Sequence, residues 1–259
     1  MSPIGLRTES LSVGYQDRQV IQGLDLVFPV GRSTAILGPN GCGKSTLLRA
    51  LARLLKPSAG RVLLGDADLH AADTRDVARQ LAILPQFPLA PDAINVGELV
   101  RRGRTPWRGL LAPWTRDDSD ACTDALDAVG MTDMADRPLA ELSGGQRQRA
   151  WLALVLAQRT PLLLLDEPTS HLDLAQQIEM LKLLQQRVAD TGMTVVSVLH
   201  DLNLAARFSD HLVLLSPQGL IAEGAPETVV TAENLHRAFG LAARVMADPL
   251  TGRPWILPH

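Results

Sequence analysis

Gly38-Pro39-Asn40-Gly41-Cys42-Gly43-Lys44-Ser45 sets glycines, a lysine and a hydroxyl at the spacing G-x-x-x-x-G-K-[ST]. A polyphosphate needs many hydrogen-bond donors at short range, and this order supplies them. The glycines leave backbone N–H groups unobstructed, a helix starting near Lys44 adds its positive end, and Lys44 bridges the β- and γ-phosphates. The Ser45 hydroxyl is then a ligand for Mg²⁺. Farther along, Leu162-Leu163-Leu164-Leu165-Asp166-Glu167 is an apolar run closed by two acids. Such a run reads as a buried strand delivering its acids to the C-terminal edge of a sheet, where ligands bind in open α/β folds. Asp166 is placed to hold the magnesium directly or through water, and Glu167 to polarise an attacking water as general base. Acids at strand ends also cap helices; beside a phosphate loop the catalytic reading carries more weight. Cys42, next to Lys44 and a helix start, is expected to favour thiolate and to react with a maleimide unless Mg-nucleotide shields it.

Three further polar groups fall in order around these. Gln86 sits in Pro85-Gln86-Phe87-Pro88, Leu142-Ser143-Gly144-Gly145-Gln146 follows, and His200 comes after a second apolar run. Ser143-x-x-Gln146 has the spacing of a capping box and so reads as a helix start. A capped helix N-terminus with two glycines is also an anion site, through which Ser143, Gly145 and Gln146 could reach a γ-phosphate. A chain that already has a complete phosphate loop would use this second site on a nucleotide held by another subunit.

As an ordered set, these motifs resemble those of ATP-binding-cassette (ABC) ATPases. The resemblance implies a head-to-tail homodimer that sandwiches two ATP molecules with Mg²⁺. It assigns Gly38, Pro39, Asn40, Gly41, Cys42, Gly43, Lys44, Ser45 and Thr46 to the phosphates, with Ser45, Asp166 and Gln86 near the metal. Glu167, His200, Lys44 and Gln86 become catalytic residues, His200 as the switch histidine and Gln86 as a sensor at the hinge of a helical insertion. Ser143, Gly145, Gln146 and Asp173 face the second subunit's nucleotide, and Tyr15, the only tyrosine, stacks on adenine. His171 stands where the commonest family pattern has a small alanine.

The elements that must position these groups are partly visible. Leu24, Leu26 and Phe28 alternate with Asp25 and Val27, among strands ending near residues 33–37. A helix is expected over 44–55, a strand pair over 60–68, and a buried strand over 81–84. Residues from about 92 to 158 carry helical periodicity without a convincing strand. One helix there starts at Thr115-x-x-Asp118, buries Ala121, Ala125, Leu126 and Val129, and stops at Gly130. After Pro161, strands over 162–165, 194–199 and 211–215 alternate with helices over 174–189 and 202–208, which implies parallel βαβ units. The expected fold is one α/β domain of ABC type. Residues 1–86 and 160–259 form its nucleotide-binding core with an N-terminal antiparallel β-subdomain, and 87–159 a helical insertion.

The chain has 259 residues, 46% hydrophobic and 20% charged, with a net charge of −3. That composition buries a sizeable core and argues against a nucleic-acid-coating surface. Cys42 and Cys122 fit no disulfide or metal spacing, so a reducing cytoplasm is expected. No secretory leader pattern opens the sequence, and no uncharged apolar run approaches the roughly 18–20 residues a bilayer demands. The chain is therefore expected to be soluble and to meet a membrane only through a partner. The stretches Gly109-Leu110-Leu111-Ala112-Pro113-Trp114, Asp136-Arg137-Pro138, 143–158, 198–207 and Asp248-Pro249-Leu250-Thr251-Gly252-Arg253-Pro254 resemble the bacterial importer branch for ferric siderophores, haem and cobalamin. This implies an ATPase bound to integral membrane permease subunits at the cytoplasmic face, served indirectly by a substrate-binding protein. A non-transport ABC ATPase for DNA repair or translation is the alternative, opposed by the compact insertion, the single cassette and the lack of a basic tail. Trp107 and Trp114 are either docking anchors for the permease or fillers of the insertion's own core.

Overall fold

The computed structural model describes residues 4–16, 18–88, 93–109, 112–170 and 172–259. Leu110, Leu111 and His171 lie outside the described residues.

Strands β1 (Leu6–Tyr15) and β2 (Arg18–Phe28) form an antiparallel pair, extended by β4 (Ala59–Leu64) and β5 (Ala67–Asp68) into a four-stranded sheet ordered β2-β1-β4-β5. Leu24, Leu26 and Phe28 face inward and are buried, while Val27 between them is exposed, as a half-buried strand demands. Between β2 and β4 the chain makes β3 (Ser33–Leu37) and helix α1 (Lys44–Leu51). This helix is shorter than expected. Arg53 takes a left-handed φ of 63°, and Leu54 N–H bonds back to the Arg49 carbonyl, closing the helix before Pro57 can.

Short α2 (Thr74–Ala78) leads into β6 (Leu81–Leu84). The next stretch holds α3 (Val96–Arg101), α4 (Arg116–Ala128) and α5 (Gly144–Ala157); among its described residues the only β pairing is an isolated bridge between Asn95 and Pro138. Helix α4 starts on a reciprocal capping box between Thr115 and Asp118, and Gly130 lies just past its end at φ 64°.

The chain returns through β7 (Leu162–Asp166), α6 (Leu174–Thr191), β8 (Thr194–Val198), α7 (Leu202–Phe208) and β9 (His211–Ser216). Helix α6 outruns its expected end and stops at Gly192, left-handed at φ 67°. The expected alternation gives a six-stranded sheet, β10-β9-β3-β8-β7-β6, whose strands from β9 to β6 are parallel. The antiparallel β10 (Gly219–Gly224), helices α8 (Pro226–Val229) and α9 (Ala232–Phe239), and the hairpin β11 (Ala243–Ala247) with β12 (Pro254–Pro258) complete the fold. None of these last five was read from sequence, because each has eight residues or fewer, too short a window to sustain an apolar period.

The run 162–165 is apolar throughout because both faces of β7 are covered. Leu162 and Leu164 join the core between the two sheets around α1. Leu163 and Leu165 join Leu99, Leu126, Leu152 and Leu184 in the core shared with α3 to α6. A third core lies under α7, α9 and the C-terminal hairpin.

Candidate functional site

Strand order explains the site. The phosphate loop follows β3, His200 follows β8, Glu167 follows β7 and Gln86 follows β6, so all four emerge at the C-terminal ends of adjacent parallel strands. Because β7 lies between β8 and β6, Glu167 receives a neighbour from each side. His200 Nε2 stands 2.6 Å from Glu167 Oε1, and Gln86 Nε2 donates to Oε2 at 2.6 Å. Ser170 Oγ donates to the same Oε2 at 3.0 Å. Glu167 itself has φ 53°, a left-handed conformation that costs a non-glycine residue about 1–2 kcal/mol. Such strain persists where surrounding contacts over-determine it, as these three do.

The phosphate loop shows why its glycines are needed. A Cβ at Gly38 would collide with the Leu215 carbonyl at 2.5 Å and Cys42 Sγ at 2.7 Å, and Gly43 holds φ 105° as the N-cap of α1. The obstruction at Gly38 is thus the packing behind the loop, more than shielding of the N–H groups in front. Lys44 is buried, with Nζ donating to the carbonyls of Gly38 (2.8 Å) and Pro39 (3.0 Å). Those bonds fold its ammonium back onto the loop. Asn40, Gly41, Gly43, Lys44, Ser45 and Thr46 line an open cleft of about 310 Å³, together with Tyr15, Glu167 and His200. Tyr15 is exposed at the rim and its hydroxyl accepts from Arg49 Nη1 at 3.0 Å.

Ser45 Oγ donates to Asp166 Oδ1 at 2.9 Å. Burial, partly opposed by that bond, pushes the Asp166 carboxyl above its ordinary range, with the neighbouring Glu167 charge adding to the rise. A hydroxyl and a buried carboxylate are hard oxygen donors that fit Mg²⁺. This ion binds through one or two protein oxygens plus phosphate and water.

One expectation changes, and the two readings open for the tryptophans divide between them. Cys42 is buried, and desolvation raises its thiol above the usual range, outweighing the nearby Lys44 charge. Position in a phosphate loop favours thiolate only where the sulfur meets water. Trp114 packs against the insertion's core, with its indole N–H on Ser119 Oγ at 2.7 Å. Trp107 is half exposed; its N–H donates to the Gln158 carbonyl at 2.6 Å, and Arg79 and Arg104 stack over its ring.

Ser143, Gly145, Gln146 and Asp173 do not line the cleft. Ser143 and Gln146 cap one another at the start of α5: Gln146 N–H donates to Ser143 Oγ at 3.3 Å, and Ser143 N–H to Gln146 Oε1 at 3.0 Å. Asp173 caps α6 by accepting from Gln176 N–H. Sequence reasoning missed Arg18 and Val20, which line the cleft, and Ser170 on Glu167. The spacing Glu167-x-x-Ser170 could have pointed to the last; nothing local points to the other two.

Residues 21–170 match the family model described as ABC transporter. The ferric enterobactin transport ATP-binding protein of Escherichia coli (strain K12) is 46% identical over 253 residues, covering 98% of this chain and 93% of that protein. The iron(3+)-hydroxamate import ATP-binding protein of Bacillus subtilis (strain 168) is 44% identical over 254 residues, covering 98% and 94%. A chain of an ABC transporter solved in an inward-facing conformation is 32% identical with a TM-score of 0.85, covering 100% of this chain and 98% of the other. With motifs, sheet order and relatives in agreement, the chain belongs to the ABC transporter family.

Proposed function

We propose that this chain is the ATP-hydrolysing subunit of a bacterial importer for a ferric siderophore. It works as a head-to-tail homodimer at the cytoplasmic face of the membrane, bound to separate permease subunits that receive cargo from a binding protein. The observation that carries the catalytic part is Glu167, held between His200 and Gln86 beside the Lys44 and Ser45 cleft. Two relatives, a ferric enterobactin transport protein and an iron(3+)-hydroxamate import protein, support the cargo class.

In this reading Lys44 leaves the Gly38 and Pro39 carbonyls for the β- and γ-phosphates, and the α1 N-terminus supplies backbone donors. Ser45, Asp166 and Gln86 would hold Mg²⁺, which would supply positive charge to offset that developing on the phosphate oxygens. His200 turns from Glu167 Oε1 to the γ-phosphate, which frees that oxygen to accept a proton from the attacking water. Tyr15 stacks on the adenine. Ser143, Gly145 and Gln146 of the second copy close over the γ-phosphate, and its Asp173 lies at the interface. The half-exposed Trp107 is the better docking anchor for the permease, since Trp114 is committed to the insertion's core.

Glu167→Gln tests the catalytic assignment. The amide keeps the shape but is a negligible base, so turnover should fall by about 10²–10⁴-fold while ATP binding persists. The variant should also accumulate as a dimer on adding Mg-ATP, measured by sizing beside phosphate release. Wild-type turnover in this variant would falsify the role. The cargo is tested by co-purifying the permease and measuring uptake of a labelled ferric siderophore; haem or cobalamin uptake instead would move the assignment within the branch.

A further inference from the structure

One cross-link in the molecule joins the two halves of this reading within a single chain. Gln148 lies on α5, five residues past the capping residue Ser143, and its Nε2 donates to the Pro168 carbonyl at 3.0 Å. Pro168 is the residue directly after Glu167 and is buried. The bond therefore fastens helix α5 to the Pro168–Thr169 peptide, one residue beyond the one strained residue in the catalytic cluster, Glu167 at φ 53°. At the start of helix α5, Gly145 leaves room for the Gln176 side chain, whose Oε1 occupies the space a Cβ would take. Gln177 Nε2 fixes the far side of the same loop through the Leu172 carbonyl at 2.9 Å.

A helix moves as a rigid body over one or two turns, so a displacement of Ser143 is carried to Gln148. Among the described residues, the Gln148 side chain makes its hydrogen bond to Pro168, the residue that follows Glu167. A left-handed non-glycine residue is sensitive to such a hold, because its conformation lasts only while the surroundings enforce it.

We propose that Gln148 is a positioning residue that ties the turn directly after Glu167 to the helix carrying Ser143. Docking of a second copy's nucleotide on Ser143 then sets the geometry of this copy's own general base. The proposal rests on the roles given above to Glu167 and Ser143, and it adds a route by which one nucleotide site of the dimer sets the turnover of the other.

The test compares purified full-length Gln148→Met and Gln148→Lys with wild type and Glu167→Gln, reading kcat, KM for ATP and Mg-ATP-driven dimerisation. Methionine keeps the volume and removes the donor; lysine keeps a donor within reach of the carbonyl. Losing the bond leaves a buried carbonyl unpaired, so Gln148→Met should lower kcat by about tenfold. KM and dimerisation should stay within about twofold of wild type, because nothing in the cleft is touched. Gln148→Lys should recover most of the lost kcat. Three outcomes overturn the tether: wild-type kcat in the methionine variant, equal loss in methionine and lysine variants, or loss of ATP binding together with kcat. Each leaves the Glu167 assignment standing if Glu167→Gln is inactive. Wild-type turnover by Glu167→Gln instead sinks the base assignment itself, and the tether with it.

Discussion

Two helix starts in this chain are offered to phosphate, and they are finished in opposite ways. Helix α1 begins at Gly43, which has no side chain and makes no side-chain cap, with Lys44 as the next residue. Helix α5 begins at Ser143, whose hydroxyl and partner Gln146 satisfy one another in a closed capping box. The first N-terminus keeps its backbone donors for a ligand; the second already uses part of its own capacity. A helix end left uncapped favours a resident anion. A helix end that caps itself is stable without one and must trade a bond to take one. This difference matches a site that holds nucleotide in the isolated chain and a second that engages only when a partner presents one.

The largest separation between the two should come from paired substitutions. Lys44→Ala removes a charged donor from the uncapped site, and the isolated chain should lose about 10–100-fold in ATP affinity, read by calorimetry. Ser143→Ala should leave that affinity unchanged and abolish or weaken Mg-ATP-driven dimerisation. Equal loss of nucleotide affinity in both variants would erase the contrast.

A smaller effect sharpens it on the stability side. Ser143→Ala loses a helix cap worth about 1 kcal/mol, which for a chain of this size lowers the thermal midpoint by about 2–4 °C. No midpoint change would mean that the capping box is not formed in solution.

The Ser45 and Asp166 pair predicts a pH effect whose sign follows from burial. The Asp166 carboxyl is raised in the folded chain, so the folded state holds its proton to higher pH than the unfolded state does. Its contribution to stability is full below the unfolded value and is lost as pH rises through the folded one. At neutral pH the nucleotide-free chain therefore carries a buried charge at a net cost. Asp166→Asn should raise the thermal midpoint of the nucleotide-free chain at pH 7. The difference from wild type should shrink as pH falls through the raised value, and the stabilisation by Mg-ATP should be smaller in the variant. A destabilised variant at pH 7 would show that Ser45 already offsets the charge.

The smallest expected effect concerns Cys42, behind the uncapped site. Its buried thiol should label with a maleimide more slowly in the folded chain than in urea, with or without Mg-ATP. Rapid labelling that nucleotide blocks would instead place the sulfur in the cleft.

Much of the site was legible because its chemistry is local. The run 38–45 prescribes a strand-loop-helix turn through glycines at positive φ, and the acids after an apolar run had to fall at the end of a buried strand. Side-chain spacing alone also showed that Ser143 and Gln146 could bond each other. What the linear chain could not carry was adjacency between strands far apart in it. That His200 and Gln86 flank Glu167 depends on β7 lying between β8 and β6, an order set by how covered faces and crossover helices pack. Burial overruled a local inference at Cys42, because the sulfur's surroundings come from Gly38 and the strands behind it. The Gln148 bond to Pro168 likewise appears only when a helix and a loop twenty residues away are folded together. Residue type and spacing therefore determined which groups could do the chemistry. Tertiary packing decided which of them touch, because contact across a sheet depends on strand order, and exposure depends on what covers each face.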